Sequence, residues 1–262
     1  MTQATPSLVT TEVDGHVFLI GLNRPEKRNA ANLQMLAELA LAYGELDRRD
    51  DLRVGVVFAH GDHFSAGLDL ADVGPAMART GSLPIPEGGL DPWGISTAQV
   101  TKPVVMAISG ICYTLGIELA LASDVVVADR SASFAQLEVA RGIMPFGGAT
   151  TRFPRAAGWS GAMRWILTAE SFGPEDALAA RVVTEVVDSN PLGAARAIAA
   201  TIAAQAPLAV QATLASARAG IADAAAEHRE LPRRLGALMA TQDVQRGLEA
   251  FMTKQPADFQ GD

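Results

Sequence analysis

Two glutamates twenty residues apart, Glu118 and Glu138, stand in apolar surroundings where paired carboxyls could move protons. Glu118 lies within Gly116-Ile117-Glu118-Leu119-Ala120-Leu121. Three and four positions on, Leu121 and Ala122 share its helix face and are apolar, which predicts a buried carboxyl. Glu138, after Phe134 and Leu137, reads on its own as an ordinary surface residue. Two carboxyls held near one substrate in a desolvated pocket raise one another's pKa, so one can donate a proton while the other accepts. That suits adding or removing water, or moving a proton beside a carbonyl. Such chemistry also needs donors for negative charge on the carbonyl oxygen, and a backbone N–H supplies ~3 kcal/mol of transition-state stabilisation. The turn at Leu115-Gly116 and the loop at Ala66-Gly67 are the two candidate donors.

The elements that must position these groups follow from apolar patterning. Leu8 to Val13 and His16 to Leu22 read as strands around an Asp14-Gly15 turn. A polar loop, Asn23-Arg24-Pro25-Glu26-Lys27-Arg28-Asn29-Ala30, ends at an asparagine suited to cap a helix, and Leu33, Leu36, Leu39, Ala40, Tyr43 and Leu46 then share one helical face. Arg53 to Ala59 is an apolar strand running into Phe64-Ser65-Ala66-Gly67-Leu68-Asp69-Leu70, a glycine-bearing loop before a helix. Gly74 to Trp93 turns to Pro, Gly and Ser and reads as a long irregular segment, with Met77 and Trp93 as packing groups. Lys102 to Ile108 is a strand, Gly116 to Ser123 a short helix, Val125 to Ala128 and Ser133 to Ala135 further strands. Helices are expected up to Arg155, over Trp159 to Thr168 and over Pro174 to Arg181, with a last strand from Val182 to Val187. After Asn190 the pattern is helical alone, so the reading is an α/β core over 1–190 and a helical region of three or so helices over 191–262.

Composition bounds the function. A chain of 262 residues with 49% hydrophobic and 19% charged residues buries a substantial core as a globular protein. Its formal net charge of -8 gives no broad basic face for nucleic acid or an anionic membrane. The single cysteine, Cys112, excludes an intrachain disulfide and a cysteine-rich metal site, and fits a reducing compartment as a small core residue. Met1 to Pro6 carries neither a signal-peptide pattern nor transit-peptide arginines, so a cytoplasmic location is expected. G-x-G-x-x-G, Walker, H-E-x-x-H and G-x-S-x-G motifs are all missing. His60 and His63 flank a loop and read as solvated.

Taken jointly, Phe64-Ser65-Ala66-Gly67-Leu68-Asp69-Leu70, the run from Lys102-Pro103 to Glu118-Leu119-Ala120 and Asp124, and Glu138 followed by Gly142 and Pro145 resemble the crotonase superfamily of enoyl-CoA hydratases and isomerases. The resemblance runs from Asn23-Arg24-Pro25 to about Val187, and more loosely into the tail. It implies a repeated ββα superhelix with a C-terminal helical trimerisation region, and a homo-oligomer, either a trimer or a dimer of trimers. It also implies an acyl-CoA thioester whose carbonyl is held by the N–H groups of Ala66 and Leu115, with Gly67, Leu68, Asp69 and Gly116 around it. Arg24 and Lys27 fall in the loop that receives the CoA nucleotide, with Lys27 as a phosphate contact or a solvated lysine; Lys254 could reach a CoA phosphate but reads first as a surface residue. Glu118 is assigned to the attacking water and Glu138 to the α-carbon proton, as in a hydratase, with an isomerase or another CoA-dependent lyase as the alternative and a non-catalytic acyl-CoA-binding subunit further off. No metal or redox cofactor is implied; coenzyme A enters as part of the substrate. Phe146, eight residues beyond Glu138, stands where dienoyl-CoA isomerases carry an acid. Thr114 and Leu115 replace the family's usual glycines, so either the oxyanion hole survives beside a narrower acyl pocket or the substrate differs from a simple enoyl chain.

Overall fold

A hairpin opens the sheet: β1 (Val9–Asp14) and β2 (Val17–Leu22) pair antiparallel with Asp14 opposite Val17. The turn is therefore Gly15-His16, one residue later than the sequence suggested. In the computed structural model, which describes residues 6–262, the chain has the expected α/β architecture. The segment read for targeting signals lies mostly outside the described residues.

The order continues with α1 (Leu33–Arg48), β3 (Val54–Ala59), α2 (Leu70–Thr80), β4 (Val104–Ile108), β5 (Ile111–Tyr113), α3 (Leu115–Ala122), β6 (Val125–Asp129) and β7 (Ser133–Ala135). Then come α4 (Ala149–Ala157), α5 (Trp159–Thr168), β8 (Ser171–Phe172), α6 (Pro174–Ala179), β9 (Glu185–Val187), and the helices α7 (Pro191–Ala203), α8 (Pro207–Ala222), α9 (Ala224–Met239) and α10 (Gln242–Thr253). Strands β1-β2-β3-β4-β6-β9 form one sheet, parallel beyond the first pair, and β5-β7-β8 form a second. Each of β4 and β6 is followed by a short strand in the second sheet, β5 or β7, and β3 by Phe64-Ser65, which bonds alongside β5. This is the repeated strand, strand, helix turn of a superhelix.

Period-two alternation sorts the main sheet into two buried faces, so β2 is apolar throughout. Val17 and Leu19 face α7, whose Ala195, Ala199 and Ala203 let its backbone approach Val54, Val56, Val105 and Val127. Phe18 and Ile20 face the larger core with Met35, Leu39, Tyr43 and Leu46 of α1 and Ile117 of α3. The tail thus holds four helices rather than three, and α7 packs on the sheet while α8 and α9 pack on each other. Among the described residues no single helix is long and apolar enough to cross a membrane.

Three local expectations are corrected. Helix α2 runs through Gly74 and Pro75 to Thr80, where a loop was expected, because Val73 is fully buried and the αL residue that ends it is Gly81, donating to Met77 O. The cap of α1 is Asn32, whose side chain accepts from Met35 N at 2.9 Å, not Asn29. Asn29 is instead buried with positive φ, accepting from Arg24 N at 2.7 Å and donating to the carbonyls of His60 and His63 at 3.0 and 2.8 Å. His60 and His63 are half-buried and hydrogen-bonded, to Thr10 and Ile111 N, rather than solvated.

Replacing Asn29 with alanine strands three buried backbone groups at once. The Asn29→Ala variant is expected to lose about 2–4 kcal/mol in urea unfolding. A loss below about 0.5 kcal/mol, the range of ordinary surface changes, would show that other contacts hold the 24–30 loop.

Candidate active site

The backbone from Phe64 to Asp69 is held on both sides. Phe64 N and Ser65 N donate to Ser109 O and Ile111 O, and Tyr113 N returns a bond to Ser65 O. On the other flank Ala66 N donates to Arg28 O at 2.9 Å, Ala31 N to Gly67 O at 2.8 Å and Asp69 N to Ala31 O at 2.9 Å. Ser65 Oγ accepts from Gly67 N at 3.0 Å. The donor expected at Ala66 is therefore already engaged by the Arg28 carbonyl. Of the amides from Ala66 to Asp69, only that of Leu68 has no acceptor among the described residues. The N–H of Leu115, at the first position of α3, is likewise without an acceptor among them, as a helix N-terminus leaves it.

Gly67 and Thr114 meet at the centre of this arrangement. Gly67 has φ +97°, and a Cβ there would overlap Thr114 Oγ1. Thr114 has φ +49° and ψ −113°, a region glycine occupies freely and a β-branched residue does not. Its N–H donates to Ala135 O of β7 at 2.9 Å, and its carbonyl accepts from Glu118 N. The strained residue thus joins the second sheet to α3. Gly116 has little space to spare, since a Cβ would lie 3.0 Å from Cys112 Sγ.

Glu118 projects from the first turn of α3 and is 1% exposed. Its Oε1 accepts from Ala149 N at 3.0 Å, at the N-terminus of α4, and a Cβ on Gly147 would lie 2.7 Å from Oε2. Burial raises its pKa, while the N–H groups of Ala149, Gly147 and Gly148 and the Arg152 guanidinium oppose that rise. Glu138 opens a 3-10 turn over Glu138–Arg141 and is also buried, against its reading as a surface residue. Gln136 Nε2 donates to its Oε1 at 2.9 Å, and Oε2 has no partner. Burial, with the nearby Glu118 charge, pushes the Glu138 carboxyl up to about 7. Glu118, Glu138, Leu68, Thr114 and Leu115 line one cavity of about 210 Å³.

A larger apolar cavity of about 630 Å³ adjoins it, since Leu115, Ile143 and Phe146 line both. Met77 and Trp93, expected as packing groups, form part of its wall, and Trp93 Nε1 donates to Leu115 O at 3.1 Å. The other expected contacts are placed differently. Arg24 Nη1 bonds Ala30 O at 2.8 Å and pairs with Asp69 Oδ2 at 2.9 Å, so both charges serve to clamp the loop. Lys27 and Lys254 are exposed at the ends of a 3-10 turn and of α10. Gln136, Gly147 and Ala149 were not singled out from the sequence; their roles come from contacts across the fold. Among the described residues no three His, Cys, Asp or Glu side chains gather to hold a metal.

Two measurements probe this geometry. Gly67→Ala is expected to cost at least about 1–3 kcal/mol in urea unfolding from its backbone conformation alone, and adding Thr114→Gly should recover part of the loss by removing the overlap; simple additivity would show that the two residues do not meet. A carboxyl whose folded pKa of about 7 exceeds its ordinary 4.5 holds its proton more tightly in the native state. Its contribution to stability is complete below about 4.5 and is lost as pH rises through about 7. Stability measured against pH should therefore fall less steeply over that window in Glu138→Gln, and equal slopes would place the Glu138 carboxyl in water.

The chain matches the family model described as enoyl-CoA hydratase/isomerase over residues 12–262. It is 33% identical over 257 residues to the (E)-benzylidenesuccinyl-CoA hydratase of Thauera aromatica, covering 97% of this chain and 99% of that protein. It is 34% identical over 251 residues to the 2,3-dehydroadipyl-CoA hydratase of Escherichia coli K12, covering 94% and 95% of the two chains. A crystal structure of a probable enoyl-CoA hydratase/isomerase from Mycobacterium abscessus superposes with a TM-score of 0.94 at 49% identity, covering 97% of this chain and 99% of that one. With the ββα superhelix and the paired carboxyls in place, these matches make the conclusion direct: the chain belongs to the enoyl-CoA hydratase/isomerase family and has the crotonase fold.

Proposed function

We propose that the protein is an enoyl-CoA hydratase, adding water reversibly across a 2-trans-enoyl-CoA to give the 3-hydroxyacyl-CoA. The observation that carries this is the shared cavity lined by two buried carboxyls, one with its pKa near 7, and by Leu68 and Leu115, whose backbone N–H groups have no acceptor among the described residues. The thioester oxygen takes hydrogen bonds from Leu68 N–H and Leu115 N–H, with Leu68 replacing Ala66 in that role. Glu118, ionised and oriented by Ala149 N, holds water and accepts its proton as the oxygen attacks the β-carbon. The π electrons move to the thioester oxygen, where the two amides stabilise the enolate. Glu138, protonated and steadied by Gln136, then delivers its proton to the α-carbon. Dehydration reverses each step.

This chemistry asks for no metal or redox cofactor, and coenzyme A arrives with the substrate. Lys27 is free to meet a CoA phosphate from its exposed loop, while Arg24, Gly67 and Asp69 shape that loop. The exposed apolar side chains Leu235, Met239, Phe251 and Met252 on α9 and α10 support a homo-oligomer, a trimer or a dimer of trimers, in a cytoplasmic setting. A second reading is an enoyl-CoA isomerase. The unpartnered Oε2 of Glu138 favours it, because one carboxyl with a pKa near 7 can carry a proton between two carbons.

Crotonyl-CoA and longer 2-enoyl-CoAs should be hydrated, and Glu118→Gln and Glu138→Gln should each lower kcat by about 10²–10⁴ while thioester binding is retained. The limb that needs protonated Glu138 should fall as pH rises through about 7. Absence of hydration at every chain length, with 3-enoyl-CoA isomerised, would replace the first reading by the second.

A further inference from the structure

The larger cavity has a chemical character of its own. Its walls include Leu36, Met77, Leu83, Trp93, Met144 and Phe146, and its lining contains no lysine, arginine or histidine. Asp91 supplies the one charge, and that charge is already spoken for: its Oδ1 accepts from Trp93 N at 2.9 Å, and its Oδ2 from Ile95 N at 2.9 Å and Ser96 N at 2.7 Å. At about 630 Å³ the space falls in the ~300–1,000 Å³ range that encloses drug-sized ligands, well beyond what a crotonyl group fills. The passage into it from the carboxyl pair is bounded by Leu115, Ile143 and Phe146, all apolar.

We infer that the substrates are enoyl-CoA thioesters with a large, uncharged, apolar acyl group, a long chain or a ring, and that acyl groups ending in a carboxylate are rejected. The inference rests on the acyl-CoA reading of the site. A terminal carboxylate entering this cavity would leave water for a wall that offers no cation and already holds Asp91. An apolar tail gains with each methylene it buries, roughly three- to fourfold in affinity. Leu115 takes part in the selection: the residue whose N–H has no acceptor among the described residues lines both cavities.

The test uses saturated thioesters, which bind but cannot be hydrated, so the cavity is read independently of the reaction. Butanoyl-, hexanoyl-, dodecanoyl- and adipoyl-CoA are titrated calorimetrically against the protein, with free CoA as baseline, and hydration of crotonyl-CoA and of longer 2-enoyl-CoAs is assayed in parallel. Affinity is expected to rise at least tenfold from butanoyl to dodecanoyl, and adipoyl-CoA should bind at least tenfold more weakly than hexanoyl-CoA. Ile85 lines the cavity and is only half-buried, so Ile85→Arg, with its fold checked by thermal melting, should narrow or reverse the hexanoyl-to-adipoyl ratio. A flat ladder, or adipoyl-CoA binding as tightly as hexanoyl-CoA to the unaltered protein, overturns the inference even where crotonyl-CoA is hydrated. The expected ladder without hydration of any enoyl-CoA overturns the hydratase reading and leaves the inference standing. Failure to bind any thioester more tightly than free CoA overturns it outright.

Discussion

The pairing of Phe64 to Asp69 with backbone on both flanks is the constraint on which the site depends. Arg28, Ala31, Ile111 and Tyr113 between them engage the N–H groups of Ser65, Ala66 and Asp69 and the carbonyls of Ser65 and Gly67, and what they omit is as consequential as what they bind. Leu68 lines the small cavity, and its N–H has no acceptor among the described residues. Arg24 and Asp69 lock the outer flank, and Asn29 ties it to the His60 and His63 carbonyls. In the proposed reaction an oxyanion site built this way would cost no reorganisation when charge develops, since its donors are fixed by the same bonds that make the fold.

The second determinant is desolvation without an ion pair. Glu118 and Glu138 lie in the same small cavity, and neither forms an ion pair. Their environments differ all the same. Glu118 receives N–H groups at the start of α4 and feels Arg152, which favours the ionised form; Glu138 has one amide donor and an empty second oxygen, which favours the acid. Burial raises both carboxyls, and in the proposed mechanism the division of labour between base and acid would follow from the N–H groups and Arg152 that oppose that rise at Glu118.

Much of this was legible in the sequence, and the misses share a cause. The strands, most helices and Glu118 are written in local apolar patterning, which one chain segment carries by itself. Glu138 is not, because its burial comes from a 3-10 turn folded over the cavity rather than from a periodic face. Which amide between Ala66 and Asp69 is left without an acceptor is not legible, because a backbone N–H has no side-chain signature and the pairing of Ala66 N with Arg28 O across the fold decides it. Asn29 and Asn32 are the same residue type three positions apart; only tertiary contacts tell the cap from the loop anchor. Gly74 and Pro75 looked like a helix end, yet burial of Val73 outweighed both, and Gly81 set the boundary. Ala195, Ala199 and Ala203 suit close packing, but their partner, the sheet itself, is invisible from the tail alone.

Trp93 joins the two cavities in a way that reaches into spectroscopy. Of the three tryptophans, Trp159 is largely in water and Trp165 stacks on Phe172, whereas Trp93 lines the larger cavity with its indole N–H on the carbonyl of Leu115. In the proposed binding mode an acyl chain entering there would displace water from the indole face while the thioester oxygen would engage the N–H of the same leucine. The protein therefore carries an intrinsic fluorophore in the wall of the larger cavity, and on the proposed reading its emission would register occupancy there without any label.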